Sequence, residues 1–257
     1  MADFVVDRVL LTNDDGIDAP GIKVLEEAAA TIAREVWVVA PEHDQSGVSH
    51  SISLHHPLRV STKSPRRFGV FGTPGDCVAL AVQELMKDNP PHLILSGINR
   101  GSNLGVETVF SGTVGAAMAG MLLGFRSIAL SQVYTSPHPV RWATASALAP
   151  RVLRHLAAME WPGGCCMNVN FPDYPASETT PIVFTEQGRG LMQGLSITKR
   201  ADPRGQDYYW LSVRRAAQTN PEGSETTIVL NGGVSVTPLE FERTNNDALA
   251  WLRKDQR

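Results

Sequence analysis

Short apolar runs alternate with helix-like segments through the first two-thirds of the chain, and this alternation constrains the fold more than any other feature. The runs predicted as strands are Arg8–Asn13, Glu35–Ala40, His92–Ser96, Arg126–Ser131 and Cys165–Asn170. The segments predicted as helices are Pro20–Arg34, Asp76–Lys87, Ser111–Gly124 and Val140–Met159. Strands separated by helices favour a doubly wound, mostly parallel sheet. Nearly continuous apolar strands agree, because such strands are covered on both faces. The sequence therefore predicts an α/β protein.

The pattern changes after Pro172, where turn residues and further β runs replace the alternation. These runs are Pro181–Thr185, Tyr208–Arg215 and Val234–Thr237, and they predict long hairpins that project from the main domain. Predicted helices are Ser224–Leu230, with Ser224 as its cap and Gly232 as its terminator, and Asn246–Arg253.

We interpret residues 1–257 as a single domain with three parts. An α/β core spans 1–172, a projecting hairpin region spans 173–240, and a C-terminal helix lies in 241–257. A projecting hairpin cannot easily bury its own apolar residues, so we expect the chain to associate with further copies of itself.

Composition excludes several classes of partner. A formal net charge of -3 gives no electrostatic reason to expect a nucleic-acid polymer or an anionic membrane. No signal peptide is evident, and the longest apolar helix-like stretch, Val114–Phe125, is too short to span a bilayer. The three cysteines, Cys77, Cys165 and Cys166, form neither a disulfide framework nor a Cys-x-x-Cys metal motif. A cytoplasmic location is the expectation.

Two adjacent carboxylates, Asp14 and Asp15, follow the first predicted strand. Open α/β sheets bind ligands at the carboxyl ends of their strands. Neighbouring carboxylates repel each other unless a cation neutralises them, and their oxygens suit Mg²⁺, Mn²⁺ or Ca²⁺ better than zinc. Metal-assisted chemistry on a phosphate is therefore the first hypothesis. The alternative is a solvated turn, because Asp-Asp-Gly is also a good turn sequence.

Four further segments place glycines and small polar residues at predicted strand ends or helix starts. They are Ala40–Gly47, Gly72–Asp76, Ser96–Gly105 and Ser111–Thr113. The last has two interpretations, a simple helix N-cap or a phosphate seat made of backbone amides and hydroxyls. The loop that ends at Gly105 is longer than a plain connection needs, so its amides are candidates for holding a metal or an oxyanion. Histidines at 43, 50, 55 and 56 and the side chain of Arg100 remain open candidates.

Several enzyme classes lack their motifs in this chain. It has no Gly-x-x-x-x-Gly-Lys loop, no Gly-x-Gly-x-x-Gly after the first strand and no Gly-x-Ser-x-Gly elbow. An aspartyl-phosphate phosphatase needs two aspartates separated by one residue, whereas Asp14 and Asp15 are adjacent and their side chains diverge on a strand. That reaction stays open as a weaker alternative.

The ordered motifs together resemble the SurE family of stationary-phase survival proteins. The matching blocks are Thr12–Gly16, Val39–Pro41 with Ser46-Gly47 and His50–Ile52, Gly72–Pro74 with Asp76–Val78, Ser96–Gly101 with Asn103–Gly105, Ser111–Val114, and Val234–Leu239. The resemblance is strong over the first half of the chain. Two departures are Gly75, where the family often has Ala, and Phe110, where His or Tyr is frequent.

The resemblance implies a Rossmann-like domain with a C-terminal β-hairpin appendage used in dimerisation. It also implies a metal-dependent phosphatase that acts on nucleoside 5′- and 3′-monophosphates. Carried onto this chain, the metal ligands would be Asp14, Asp15, Ser46 and Asn99. The phosphate-binding candidates would be Gly47, Asn103, Ser111, Gly112 and Thr113.

The resulting hypothesis is a phosphomonoesterase with one divalent ion, Mg or Mn, held by the catalytic pair Asp14 and Asp15. A water activated by the ion is the expected nucleophile, and the backbone amides of residues 111–113 are expected to stabilise the developing charge. The expected assembly is a homodimer or homotetramer. The rival from another class is a nucleotide-binding regulatory protein that does not turn over its ligand.

Overall fold

A long mixed sheet organises the protein. The computed structural model describes residues 4–135 and 137–254, and within them nine strands form one sheet and two form a separate hairpin. The strands are β1 Val6–Thr12, β2 Ala33–Pro41, β3 Val60–Ser64, β4 Arg67–Val70, β5 Leu93–Arg100, β6 Ser127–Gln132, β7 Cys166–Phe171, β8 Ile182–Phe184, β9 Met192–Ala201, β10 Asp207–Arg215 and β11 Val234–Leu239. The order across the main sheet is β3-β4-β2-β1-β5-β6-β7-β11-β8.

The centre of this sheet is parallel, as the strand–helix alternation predicts. β1 lies between β2 and β5, with Leu11 opposite Val38 on one side and Leu95 on the other. β6 and β7 continue the parallel series, whereas β3 and β11 run antiparallel to their neighbours β4 and β7. The carboxyl ends of β1, β2 and β5 therefore meet at one edge of the sheet.

Helices cover both faces. They are α1 Pro20–Ala29, α2 Pro74–Leu80, α3 Gly112–Leu122, α4 Trp142–Ala158, α5 Glu225–Leu230 and α6 Asn246–Lys254. The buried residues of α1 and α4 pack against one face of the sheet, where Leu25, Leu148 and Phe171 belong to one apolar core. Residues of α2 and α3 pack against the other face, where Val78 and Ala116 contact the core around Leu10. Within the described ranges, none of these helices is long and apolar enough to cross a membrane.

Three predicted boundaries differ from the structure. The helix predicted as Pro20–Arg34 ends at Ala29, because the apolar residues Ile32 and Ala33 already belong to the core at the start of β2. The helix predicted as Asp76–Lys87 begins at Pro74 and passes into a π-helical turn over Ala81–Leu85. The strand predicted as His92–Ser96 continues to Arg100, so Asn99 belongs to β5 and not to a free loop.

The segment predicted as a projecting region, 173–240, is only partly outside the main sheet. β11 pairs antiparallel with β7, and β8 pairs parallel with β11, so both strands extend the main sheet. Only β9 and β10 form a separate antiparallel hairpin, with Trp210 opposite Thr198. The sequence did not predict β9. The prediction that Val234–Thr237 belongs to a projecting hairpin is wrong, because this segment pairs with the free edge of β7.

Candidate active site

Residues from three strands and one helix meet at the carboxyl edge of the parallel sheet. Asp14 and Asp15 directly follow β1, and Asn99 lies near the end of β5, whose Ser96 pairs with Thr12. Ser46 lies in the polar loop after β2, and the amide of the preceding Gln45 donates to the backbone oxygen of Asp14 at 2.7 Å. The fold thus brings the four predicted metal ligands to the same edge of the sheet.

Asp14 is almost completely buried against the N-terminus of α3. Its Oδ1 accepts a hydrogen bond from the Thr113 hydroxyl, and its Oδ2 accepts one from the Thr113 amide at 3.1 Å. A Cβ at Gly112 would lie 2.9 Å from the Cβ of Asp14, so glycine allows the helix to approach this carboxylate closely. Burial raises the pKa of Asp14 from 3.8 to about 6. The two hydrogen bonds from Thr113 oppose this rise, and the negative charge of Asp15 adds to it.

Asp15 is half-buried and is held by a different element. Its Oδ2 accepts a hydrogen bond from the Arg100 amide at 3.0 Å, which ties the end of β5 to the end of β1. Burial raises the pKa of Asp15, the Arg100 amide opposes that rise, and the negative charge of Asp44 adds to it. Burial is the main cause of the raised pKa in both acids, and at Asp15 the charge of Arg100 also opposes the rise.

Ser46 is oriented by Asp44. The Oδ1 of Asp44 accepts hydrogen bonds from both the amide and the hydroxyl of Ser46, each at 2.7 Å. This is an Asx turn, in which an aspartate side chain binds the backbone two residues later. The turn presents Ser46 and the neighbouring Gly47 in an exposed loop. Sequence reasoning missed Asp44, although the Asp-x-Ser spacing is a signal that could have identified it.

Asn99 is fixed through its amide nitrogen. Its Nδ2 donates to the backbone oxygen of Gly101 at 3.1 Å. That bond orients the side-chain amide and leaves Oδ1 as the atom able to ligate a cation. The neighbouring Arg100 has an exposed side chain; its backbone amide is hydrogen-bonded to Asp15, and its positive charge also opposes the rise in the pKa of that acid.

Three of the phosphate-binding candidates, Ser111, Gly112 and Thr113, lie at the start of α3. Ser111 is the N-cap of α3, since its hydroxyl accepts from the Val114 amide at 3.0 Å. The Ser111 amide donates to Thr108 O and the Thr113 amide donates to Asp14, so two of the three amides expected to face a phosphate already have partners within the protein. Gly112 lies between them at the helix terminus.

Asn103 lies in the loop that follows β5, four residues after Asn99, and is buried in a polar cluster. Its amide Nδ2 donates to the Ser131 hydroxyl at 2.8 Å, and its backbone amide donates to Asn170 Oδ1 at 2.9 Å. The backbone oxygen of Asn103 accepts from both Asn168 and Asn170. Both kinds of donor on Asn103 are therefore used inside the protein.

The histidines of the polar loop have contacts of other kinds. His43 packs edge-on against Phe71, and His50 lies between Ser49, the sulfur of Met118 and the ring of Phe241. Burial lowers the pKa of His50, with Arg243 acting in the same direction. His55 and His56 are exposed. None of these contacts links a histidine to the acidic pair in the part of the chain that the structure describes.

Comparison with known proteins identifies the family. The sequence model of the family described as Survival protein SurE matches residues 9–194. This chain belongs to the SurE family. The SurE match includes every candidate metal and phosphate residue, whereas α5 and β11 lie beyond it.

The protein is similar over nearly its whole length to SurE proteins of several bacteria. It is 58% identical over 247 residues to a protein of Burkholderia lata named 5'-nucleotidase SurE 1, covering 96% of this chain and 95% of that one. It is 49% identical to the 5'-nucleotidase SurE of Paramagnetospirillum magneticum, covering 95% and 94% of the two chains. The crystal structure of SurE protein from Aquifex aeolicus superposes with a TM-score of 0.81 at 35% identity, covering 97% of this chain and 100% of that one. The predicted Rossmann-like SurE fold is confirmed.

The donor set of this SurE protein suits a hard divalent cation. Within residues 4–135 and 137–254, no group of three or more His, Cys, Asp or Glu side chains lies together in a way that could hold a metal. The four predicted ligands offer two carboxylates, Asp14 and Asp15, and the neutral oxygens of Ser46 and Asn99. An all-oxygen set of this kind fits Mg²⁺ or Mn²⁺ and not zinc.

Proposed function

We propose that this SurE-family protein is a 5′-nucleotidase that hydrolyses nucleoside 5′- and 3′-monophosphates with one divalent metal ion, Mg²⁺ or Mn²⁺. The observation that carries the proposal is the pair Asp14 and Asp15 at the end of β1, beside the N-terminus of α3. The names of the Burkholderia and Paramagnetospirillum relatives support a 5′-nucleotidase.

The metal would be held by Asp14, Asp15, Ser46 and Asn99. When bound, the ion supplies positive charge to a phosphate oxygen and activates the water that attacks phosphorus. The raised pKa values of the two aspartates support this assignment, because burial disfavours their charged forms and a bound cation would compensate for it. Thr113 would keep Asp14 aligned and Asp44 would keep Ser46 aligned.

The proposed phosphate-binding residues are Gly47, Asn103, Ser111, Gly112 and Thr113. Three of the first four amides at the start of α3 already donate within the protein, which leaves the amide of Gly112 to face a phosphate oxygen. A free amide at a helix N-terminus favours an anion through both its hydrogen bond and the helix dipole. Residues 111 and 113 would contribute mainly by fixing this helix end and the carboxylate beside it.

We further propose a cytoplasmic homodimer or homotetramer that associates through the β9–β10 hairpin. Opposite residues on antiparallel strands share a face, and one face of this hairpin carries Leu195, Ile197, Tyr209, Leu211 and Val213. Ile197 and Leu211 are 67% and 64% exposed, so the face has no cover within the described chain. A second copy would remove this apolar area from water. The free state of Cys77, Cys165 and Cys166 supports a reducing compartment.

Phosphate release from a panel of nucleoside 5′- and 3′-monophosphates tests the proposal. The purified protein should release phosphate with added Mg²⁺ or Mn²⁺ and lose that activity after exhaustive EDTA treatment. Nucleotide binding without release would instead indicate a regulatory binding protein. A chirally labelled phosphate ester should be hydrolysed with inversion at phosphorus, whereas retention or a trapped phosphoaspartate would indicate a covalent route.

A further inference from the structure

A buried carboxylate far along the chain holds the loop that carries the proposed site. Glu225, the first residue of α5, is 0% exposed. Its Oε1 accepts a hydrogen bond from the amide of Gly105, a residue 120 positions earlier in the sequence. We propose that Glu225 is a positioning residue, which fixes the loop 99–113 in the geometry needed for catalysis. This inference rests on the proposed function.

Burial raises the pKa of the Glu225 carboxyl, and the hydrogen bonds it accepts oppose that rise. Besides the Gly105 amide, the Thr237 hydroxyl donates to its Oε2 at 2.9 Å and Asn168 Nδ2 approaches the same oxygen at 3.5 Å. Burying a carboxylate is expensive unless hydrogen bonds compensate for the lost water. A side chain that only filled space at this position would not need a charge. The three donors therefore tie this buried carboxyl to specific partners in other parts of the chain.

Two further residues of the C-terminal half, Gln187 and Gly190, contact Gly105. Its carbonyl oxygen accepts from Gln187 Nε2 at 2.9 Å, and the same nitrogen lies 3.0 Å from the Thr108 hydroxyl oxygen. Gly105 has a φ of +56°, and a Cβ there would lie only 2.2 Å from the Gly190 nitrogen. Glycine is therefore required at this point, where two segments distant in sequence meet.

Fixing Gly105 fixes the residues on both sides of it. On the upstream side, Asn168 and Asn170 of β7 bind the backbone oxygen of Asn103, four residues after Asn99. On the downstream side, a 3₁₀ turn over Gly105–Phe110 leads directly to Ser111, the N-cap of α3. The helix end that follows binds Asp14 through Thr113. A shift at Gly105 would therefore reach both Asn99 and the Asp14 carboxylate.

The decisive experiment replaces Glu225 and a matched exposed glutamate by the same residue in the full-length protein. Glu225→Met keeps the side-chain length but removes the acceptors, and Glu222→Met makes the same change at an exposed position of the same segment. We expect Glu225→Met to lower kcat for nucleotide hydrolysis by about 10–100-fold, as loss of supporting contacts around metal sites commonly does. Glu222→Met should match the wild type. Glu225→Gln should give an intermediate kcat, because its amide oxygen can still accept from Gly105.

Hydrogen exchange separates positioning from a purely structural role. At a temperature where every variant is folded by near-UV circular dichroism, exchange in residues 99–113 should rise in Glu225→Met while exchange in β1 and β5 up to Ser96 stays slow. A variant that is less stable but keeps the wild-type kcat and the slow exchange of 99–113 would overturn the inference.

A second variant keeps the test decisive if Glu225→Met does not fold. Gln187→Leu removes the bond from the Gln187 side chain to the Gly105 carbonyl at an exposed position, and it should also raise exchange in 99–113 and lower kcat. Wild-type values for both would overturn the inference. If the wild-type protein hydrolyses no nucleotide, the proposed function fails by itself, and the exchange of 99–113 alone decides whether Glu225 holds the loop.

Discussion

The carboxyl edge of the parallel sheet and the β9–β10 hairpin present opposite kinds of surface. At the sheet edge, polar side chains are buried and hydrogen-bonded within the protein, Thr113 to Asp14 and Asn103 to Ser131. On the hairpin, large apolar side chains such as Ile197 and Leu211 are exposed. Each region violates the usual partition of polar residues outside and apolar residues inside.

The two regions favour different kinds of binding partner. Buried acids with raised pKa values favour a small charged ligand, whereas an uncovered apolar face favours another protein surface. A side-chain contact links the two regions. Arg215, at the end of β10, donates a hydrogen bond of 2.6 Å to Glu107, which lies in the turn before Ser111.

The largest effect is expected from removing charge at the sheet edge. Asp14→Asn and Asp15→Asn should each lower kcat/KM for nucleotide hydrolysis by about 1,000-fold, equivalent to about 4 kcal/mol. The reason is the loss of half of the negative charge that would bind the cation. Steady-state phosphate release measures the effect, with the exposed Asp18→Asn as the control. Near-wild-type turnover with normal metal affinity in either variant would mean that the residue is only part of a turn.

The same Asp14→Asn change should stabilise the metal-free protein at neutral pH. The pKa of Asp14 is raised from 3.8 to about 6, so the folded state holds this proton more tightly than the unfolded state. Wild-type stability should therefore fall as pH rises from 3.8 to about 6 and stay lowered above that. The variant lacks this loss, so its free energy of unfolding at pH 7 should exceed that of the wild type by up to about 3 kcal/mol.

Urea unfolding in EDTA at pH 7 and at pH 4 measures this gain. The isosteric amide can keep both bonds to Thr113, because the threonine hydroxyl can turn to accept. The gain should nearly vanish at pH 4, where the wild-type acid is mostly protonated in both states. An equal gain at both pH values would show that charge is not its cause.

On the hairpin, a charge on the apolar face should disrupt assembly without affecting the site edge. Leu211→Asp should weaken self-association by about 2–3 kcal/mol, the value of burying a leucine side chain. Ser212→Asp places the same charge on the opposite face and should leave the assembly intact. Light scattering at micromolar concentration distinguishes the two. A monomeric wild type, or equal dissociation by both variants, would contradict the assignment of this face.

The smallest effect is expected at the cap of α3. Ser111→Ala removes the acceptor for the Val114 amide and should cost about 1 kcal/mol of unfolding free energy. Ser212→Ala on the exposed hairpin should change stability by less than about 0.5 kcal/mol. Thermal or urea unfolding compares them. Equal, negligible losses would mean that Ser111 does not fix the helix end beside Asp14.

The regions differ equally in how well the sequence predicted them. The parallel core was predicted because runs such as Glu35–Ala40 are apolar almost throughout, which is typical of strands covered on both faces. β9 was missed because its residues alternate between polar and apolar, and Gly194 and Lys199 interrupt any continuous signal. The insertion of β11 beside β7 depends on an edge created by distant strands, which no local pattern reveals.

At the site, local motifs predicted which residues meet but not what each one contacts. Asp14 and Asp15 were placed at a strand end from the abrupt change of an apolar run into two acids. The bonds from Thr113 to Asp14 depend on how α3 docks against β1, so the sequence suggested a phosphate contact instead. Glu225 carried no signal at all, because an acid at the start of a short helix is ordinarily a favourable terminal charge.

The place of β11 in the sheet also sets the order in which the protein can be completed on the ribosome. Among the described strands, β8 has β11 as its only neighbour, and β11 also covers the second edge of β7. Chains emerge from the N-terminus onward, so β8 leaves the ribosome before its pairing strand exists. All four proposed metal ligands are made before residue 100, yet the bond from Glu225 to Gly105 can form only after more than twice that length has been synthesised. A nascent chain therefore carries the motifs of the site well before it can hold them in place.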